Sequence, residues 1–316
     1  MNDSQRLLLI ASSKMQRTPA FERGVGLARA RGWSLRILAV DYVKVLELLG
    51  LFNHQALATL RDSYLQNHRR WLESEAAQER ERGLDCTVQV LWSDHIVDEI
   101  RNCIAVTQPL MLIKDVHREP VLKRVFSTPL DWHLLQDCQC PVQFVMPGDD
   151  ALPSKILAAV NLYRAEDVDL RLNDAILRAA MDLGIQTGAS VHVLYTYDWS
   201  AIYAAATPKL GMLPIDTGFQ EALNDAHEES FGLLCDRHGV DARHRHFLTG
   251  TPMATINAFA RQNRFDLLVI GTLPRHHLTR IMGNTAEGLL GHAACSVLIV
   301  KVPVTLGEDS QLAGFV

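Results

Sequence analysis

A loop near the C-terminus combines residue types that could bind an anion. It runs from Gly271 and Thr272, where an apolar stretch ends, past the basic residue Arg275 to Gly283-Asn284-Thr285, where a helical pattern begins. Glycine lets a backbone close around an anion, and free N–H groups at the start of a helix can bind it. The loop therefore suits a phosphate group. The alternative is that Gly283-Asn284-Thr285 forms only a turn and a helix cap, because Asn and Thr are favoured there.

Short apolar runs alternate with helical patterns on both sides of this loop and along the whole chain. The apolar runs predict ten strands, at residues 7–11, 35–40, 86–92, 110–114 and 141–146 and then at 155–161, 190–197, 243–248, 266–270 and 297–302. Strands that alternate with helices predict parallel sheets covered on both faces. Ligands of such sheets bind beyond the carboxyl ends of the strands, where the winding reverses.

The second half of the chain repeats the first at an offset of about 150 residues. Residues 138–147 (CQCPVQFVMP) correspond to residues 295–303 (CSVLIVKVP), and both stretches close their half. The repeat predicts two domains, at residues 1–148 and 154–305, followed by a tail at 306–316. The fold class is therefore α/β, with two tandem doubly wound domains of five parallel strands each.

Composition limits the classes of partner. The net charge is −5, which gives no general attraction to nucleic acid or to an anionic membrane. The six cysteines lie mostly in apolar runs, as buried thiols do in a reducing compartment. The apolar run at the N-terminus is too short for a signal peptide or a membrane span. We expect a soluble, cytoplasmic protein.

Taken together, these motifs resemble the universal stress proteins, and in particular their tandem members. The resemblance covers nearly the whole chain and is carried by residues 155–161 (KILAAVN), by Gly271 and Thr272, by residues 283–287 (GNTAE) and by residues 295–303. It implies the strand order 3-2-1-4-5 in each half. It also implies that the halves pack as a pseudo-dimer, with one fifth strand near the other, and it allows a further homodimer.

Members of this family that act on nucleotides bind ATP through glycines spaced as Gly-x2-Gly-x9-Gly-Ser/Thr, together with residues at the ends of the first two strands. The resemblance thereby assigns a nucleotide site, with Mg²⁺, to the second half. Its residues would be Val160, Asn161, Thr196, Gly271, Thr272, Arg275, Gly283, Asn284 and Thr285.

The sequence departs from this pattern. Pro274 replaces the second glycine and removes an N–H donor, and Asn161 stands where the family has an aspartate. In the first half the matching loop, residues 114–117 (KDVH), contains no glycine, so we expect a degenerate site there.

Three functions from different classes follow. The first is a non-enzymatic stress-response factor that acts by binding a ligand or a partner. The second is an ATP-binding protein, or a slow ATPase, that uses the second half alone. The third is a carrier of an apolar or lipid-like ligand. No nucleophile elbow or Walker loop is present in the sequence, so no catalytic residue is assigned.

Three other groups of residues have two readings each. His244 and His246, with His238 nearby, would form either a metal pair or the solvated edge of a sheet. Cys138 and Cys140 are better explained as packed thiols than as a redox motif. The long apolar segments 43–52 and 199–219 either roof a cavity or pack between the domains.

Overall fold

The fold is a single ten-stranded sheet with helices on both faces. The computed structural model describes residues 5–43, 54–116, 130–162, 167–199, 217–272 and 293–302. The strands follow one another across the sheet in the order β3-β2-β1-β4-β5-β10-β9-β6-β7-β8. Each half therefore has the predicted order 3-2-1-4-5, and the second half is the first one repeated in reverse across the sheet.

The elements of the first half are β1 (Arg6–Ile10), α1 (Pro19–Arg31), β2 (Ser34–Asp41), α2 (His54–Glu81), β3 (Cys86–Trp92), α3 (Ile96–Thr107), β4 (Met111–Asp115), α4 (Leu130–Asp137) and β5 (Val142–Val145). Those of the second half are β6 (Lys155–Val160), α5 (Asp167–Thr187), β7 (Ser190–Tyr197), α6 (Thr217–Arg237), a 3-10 turn (Ala242–His244), β8 (Arg245–Thr249), α7 (Pro252–Gln262), β9 (Leu267–Thr272) and β10 (Ser296–Lys301).

The two halves meet at their last strands. Every other neighbouring pair of strands is parallel, whereas β5 and β10 run antiparallel, with Gln143 opposite Leu298. An antiparallel pair can be symmetric about a two-fold axis, so this junction has the geometry of a dimer interface inside one chain. The prediction that the fifth strands lie together is confirmed.

The core consists of two layers, one on each face of the sheet. Leu7, Leu9 and Ile37 point into the layer covered by α1, α2, α5 and α6, while Leu8 and Leu38 point into the layer covered by α3, α4 and α7. Both layers exclude water, so the strands read as continuous apolar runs rather than as alternating ones.

Two sequence predictions need correction. Residues 243 and 244 lie in the 3-10 turn and not in the strand, because Asp241 caps that turn through the backbone N–H of Arg243. The helix α4 was not predicted. The helix expected at 284–292 lies outside the described residues. No helix in the described ranges has both the length and the apolar character that a membrane crossing requires.

Candidate functional site

The crevice where the winding reverses in the second half lies at the carboxyl ends of β6, β7 and β9; we call it the second-half crevice. Val160 and Thr196 are buried near the ends of β6 and β7, and Gly271 and Thr272 end β9. The exposed residue Asn161 directly follows β6. The fold thus brings five of the nine predicted residues together at the carboxyl ends of these three strands. The other four, Arg275, Gly283, Asn284 and Thr285, lie outside the described residues.

Thr196 brings a buried polar group to this crevice. Its neighbours Tyr195 and Tyr197 point into the α5–α6 layer, so the Thr196 side chain lies on the opposite face, beside Leu194. Only 8% of Thr196 is exposed, and its Oγ1 has no hydrogen-bond partner within the described chain. A buried hydroxyl without a partner lowers the stability of the folded protein. Because this hydroxyl lies near the carboxyl ends of the strands, where ligands of such sheets bind, it points to a ligand.

Asn161 is held by a residue that the sequence analysis did not identify. The side chain of Asn173, on α5, accepts a hydrogen bond from the Asn161 backbone N–H at 3.0 Å and donates one to the Asn161 carbonyl at 2.7 Å. Asn173 is only 2% exposed. This paired contact fixes the turn after β6. A lone polar residue on the apolar face of a predicted helix was the available signal.

Gly271 has a structural reason of its own. A Cβ added there would lie 2.6 Å from both Cγ and Cδ1 of Leu172, on α5. Real Cβ atoms do not approach carbon so closely, so the absence of a side chain lets α5 pack against β9. The glycine is therefore explained by helix packing, whether or not a phosphate lies nearby.

Replacing Gly271 with alanine should lower the free energy of unfolding by about 1–3 kcal/mol, because the new methyl group overpacks the contact with Leu172. Urea denaturation of Gly271→Ala, Leu172→Ala and the double variant measures this. We expect the loss in the double variant to be smaller than the sum of the single losses by about 1 kcal/mol. Strictly additive losses would show that the two residues do not compete for space.

An aromatic group lies beneath the other face of β7. The Tyr195 hydroxyl and His227 Nδ1, on α6, are 2.9 Å apart, and the Tyr197 and His227 rings are 4.8 Å apart. Burial raises the pKa of Tyr195 and lowers that of His227, so both are neutral near pH 7. These neutral aromatic side chains form a wall rather than a charged site.

The corresponding crevice of the first half is occupied by the protein's own side chains. The sheet pairings place Asp115 where the second half has Gly271. Its Oδ1 accepts a hydrogen bond from the backbone N–H of Ala20, at the start of α1, at 3.0 Å. Thr18 caps the same helix through Phe21. A carboxylate and a cap thus bind helix N–H groups that an anion would otherwise use.

Lys114 precedes this carboxylate and is buried as well. It is 2% exposed, and its ammonium group forms an ion pair with Asp131 on α4 and donates to the carbonyl of Asp115 at 2.7 Å. The lysine predicted to lie in a degenerate loop is therefore a core residue.

Asp41 and His68 form a second buried polar pair in the first half. His68 Nδ1, on α2, lies 2.5 Å from Asp41 Oδ2, at the end of β2, and the two side chains are 0% and 1% exposed. The rings of Tyr64 and Trp71 lie 6.3 and 6.1 Å from that of His68. With this enclosure the pair does not face solvent.

The remaining predictions are placed as follows. All six cysteines are buried free thiols, as expected. The sulfurs of Cys138 and Cys140 are 3.4 Å apart; their hydrogen bond, and then burial, raise the pKa of Cys140. His238 pairs with Asp174, so it does not join His244 and His246. In the described ranges no three His, Cys, Asp or Glu side chains are grouped as metal ligands. The apolar segments 43–52 and 199–219 lie, apart from their ends, outside the described residues.

Two doubly wound sheets fused at their fifth strands define a tandem Rossmann-like α/β protein. Residues 165–301 match the family described as the Universal stress protein family. The chain is 25% identical to universal stress protein E of Photorhabdus laumondii over 307 residues. This alignment covers 95% of this chain and 96% of the relative. The second half therefore matches this family, and the chain as a whole is similar to universal stress protein E over nearly its full length.

Solved structures share the fold over almost the entire length. A functionally unknown protein from Pseudomonas aeruginosa PAO1 superposes with a TM-score of 0.72 at 21% identity, covering 94% of this chain and 92% of that one. A universal stress protein from Archaeoglobus fulgidus gives a TM-score of 0.61 at 17% identity, with 94% and 98% covered. These similarities show that both halves of the chain share the fold of those structures.

Proposed function

We propose that this protein acts as a stress-response factor by binding a small ligand, and that only its second half binds it. The ligand is a nucleotide held at the second-half crevice, with its phosphates toward residues 283–285. The first half serves as a scaffold that completes the sheet.

The observation that carries this proposal is the Thr196 hydroxyl. The residue is buried near the carboxyl end of β7, beside the second-half crevice, and its Oγ1 has no hydrogen-bond partner within the described chain. A ligand that supplied a hydrogen-bonding group would satisfy it and recover the desolvation cost. The position equivalent to Thr196 in the first half is Val40, seventh in β2 as Thr196 is seventh in β7. At this one position, therefore, the second half offers a hydroxyl and the first half does not.

The polar contacts of the first half support the same division. Asp115 binds the start of α1, and Lys114 is paired with Asp131. A phosphate entering there would meet the Asp115 carboxylate, and the Lys114 ammonium group is already paired with Asp131. In the second half Gly271 brings no charge to the corresponding position, so an anion is not repelled by that residue.

Binding without turnover accords best with the described residues. The pair that most resembles a general base and its orienting carboxylate is His68 with Asp41, and both are enclosed by protein. A base must come within hydrogen-bond reach of its substrate to act. This pair is better explained as part of the core.

Thr196→Val tests the proposal because it removes the hydroxyl and keeps the shape. Calorimetric titration of ATP with Mg²⁺ should show an affinity about tenfold lower in the variant, the loss of roughly one hydrogen bond. Without ligand, the free energy of unfolding of the variant should equal that of the wild-type protein or exceed it by up to about 1 kcal/mol, because an unsatisfied buried hydroxyl has been removed.

Val40→Thr is the matched control, since it places a hydroxyl at the equivalent position of the first half. It should lower stability and leave ATP affinity unchanged. Gly283→Arg should abolish binding, because it replaces a glycine of the predicted phosphate-binding motif with a large side chain. If the wild-type protein does not bind ATP at millimolar concentration, or if Val40→Thr weakens binding as much as Thr196→Val does, the proposal is wrong.

A further inference from the structure

Three histidines meet at the edge of the second half, near the amino ends of its strands. His192 Nδ1, on β7, and His246 Nε2, on β8, are 3.0 Å apart, and the ring of His244, in the 3-10 turn, is centred 4.2 Å from that of His192. We call His192, His244 and His246 the histidine cluster. All three are half-buried, so their rings contact one another and not only water.

The charges that act on His192 and His246 are positive, whereas His244 also interacts with the carboxylate of Asp241. Lys155, on the neighbouring strand β6, acts on His192 and His246 with its positive charge, as does His244. Phe265 lies edge-on to His192 at 5.1 Å, and Phe259, on α7, is 4.7 Å from His246. The nearby carboxylate of Asp266 accepts hydrogen bonds from Ser154 and from the backbone N–H of Lys155. A proton added to His192 or His246 therefore meets positive charge.

The strand that carries His246 lies at the end of the sheet and contains no fully buried residue. β8 has five residues and, among the described residues, pairs with β7 alone. Four of its five residues are half-buried and the fifth is exposed. Edge elements with few buried contacts open at lower free energy than the core does.

The first half provides an internal comparison. His192 is the third residue of β7, and Arg36 is the third residue of β2. Arg36 donates a hydrogen bond to Gln89 on the edge strand β3, and Gln89 stands opposite Leu38 as His246 stands opposite Leu194. This pair therefore contains no imidazole group, unlike the pair of His192 and His246.

We propose that the histidine cluster is an acid sensor: protonation of His192 and His246 releases β8 and the adjoining 3-10 turn from β7, while the equivalent edge strand β3 stays in place. The second half then exposes the hydrogen-bonding edge of β7 only under acidic conditions. This proposal is independent of the ligand proposed above.

The direction of the effect follows from the protonation states. Burial, and then the charges of His244, His246 and Lys155, lower the pKa of His192 from 6.5 to about 4. In the released state His192 regains its ordinary pKa and binds a proton more readily. The paired edge is therefore fully favoured above about pH 6.5 and loses stability as the pH falls toward about 4.

Hydrogen–deuterium exchange read by mass spectrometry tests the proposal. Between about pH 7.5 and about pH 5, after correction for the intrinsic rate, the opening constant of the amides at 245–249 should rise about tenfold. The tenfold rise is smaller than the full pKa difference of His192 would give, because solvent partly screens the charges around its half-buried ring. The amides at 86–92, in β3, should change little and serve as the control within the same molecule.

Two variants separate the sensor from general acid sensitivity. His192→Arg with His246→Gln installs the pair found in the first half, and His192→Phe keeps an aromatic ring against Phe265 without a titrating group. The double variant should reduce the pH response of 245–249 to that of 86–92, and His192→Phe should reduce it in part, because His246 still titrates. Equal pH responses of both edges in the wild-type protein, or an undiminished response in a folded variant, would overturn the proposal.

Discussion

Replacing Lys114 with isoleucine should lower the free energy of unfolding by about 3–5 kcal/mol, the largest effect that we expect from a single change in this protein. Lys114 is 2% exposed and forms a buried ion pair with Asp131. Its removal leaves the Asp131 carboxylate in the core without its cation. Guanidinium denaturation, followed by circular dichroism, measures the loss.

The second half shows which replacement should restore stability. The strand pairings align Lys114 with Ile270, which is buried in β9. The double variant Lys114→Ile with Asp131→Leu removes both charges together, so it should recover to within about 1–2 kcal/mol of the wild-type protein. If Lys114→Ile alone is as stable as the double variant, the ion pair does not account for the burial of Lys114.

Replacing Glu79 with glutamine should lower the free energy of unfolding by about 2–4 kcal/mol. The Glu79 side chain is 0% exposed, forms an ion pair with Arg29, and lies 3.1 Å from Arg17 and 3.4 Å from Arg82. It joins α1 to α2 by placing one carboxylate among several guanidinium groups. Glutamine keeps the shape but not the charge, so the arginines then repel one another. The midpoint of thermal unfolding measures the effect.

Glu73→Gln is the matched control on the same helix. Glu73 forms an ion pair with Arg80, but its side chain is 46% exposed. Solvent screens such a pair, so the loss should stay below about 1 kcal/mol. Similar losses for Glu79 and Glu73 would contradict a special role for the buried carboxylate.

The sequence was sufficient to predict most of the fold. Strands buried on both faces are apolar without interruption, as in residues 7–10, and the repeat placed the same elements twice. The family resemblance supplied the strand order and the meeting of the fifth strands, both of which the sheet confirms. The helix α4 was missed because it has only eight residues.

The site was less predictable because its residues act through contacts that are distant in sequence. Nothing near Asp115 in the chain indicates that it caps α1, 95 residues earlier. His192 joins His244 and His246 only through the register of β7 with β8. The domain limits at 1–148 and 154–305 and the nine nucleotide-site residues stay predictions.

The antiparallel junction between β5 and β10 has a consequence for how the two halves could diverge. In a dimer of identical subunits a mutation appears on both sides, and dilution separates the partners. Within one chain the strands meet at an effective concentration on the order of millimolar, whatever the amount of protein in the cell. One copy can therefore change its polar residues while the other keeps its own, and assembly does not depend on abundance.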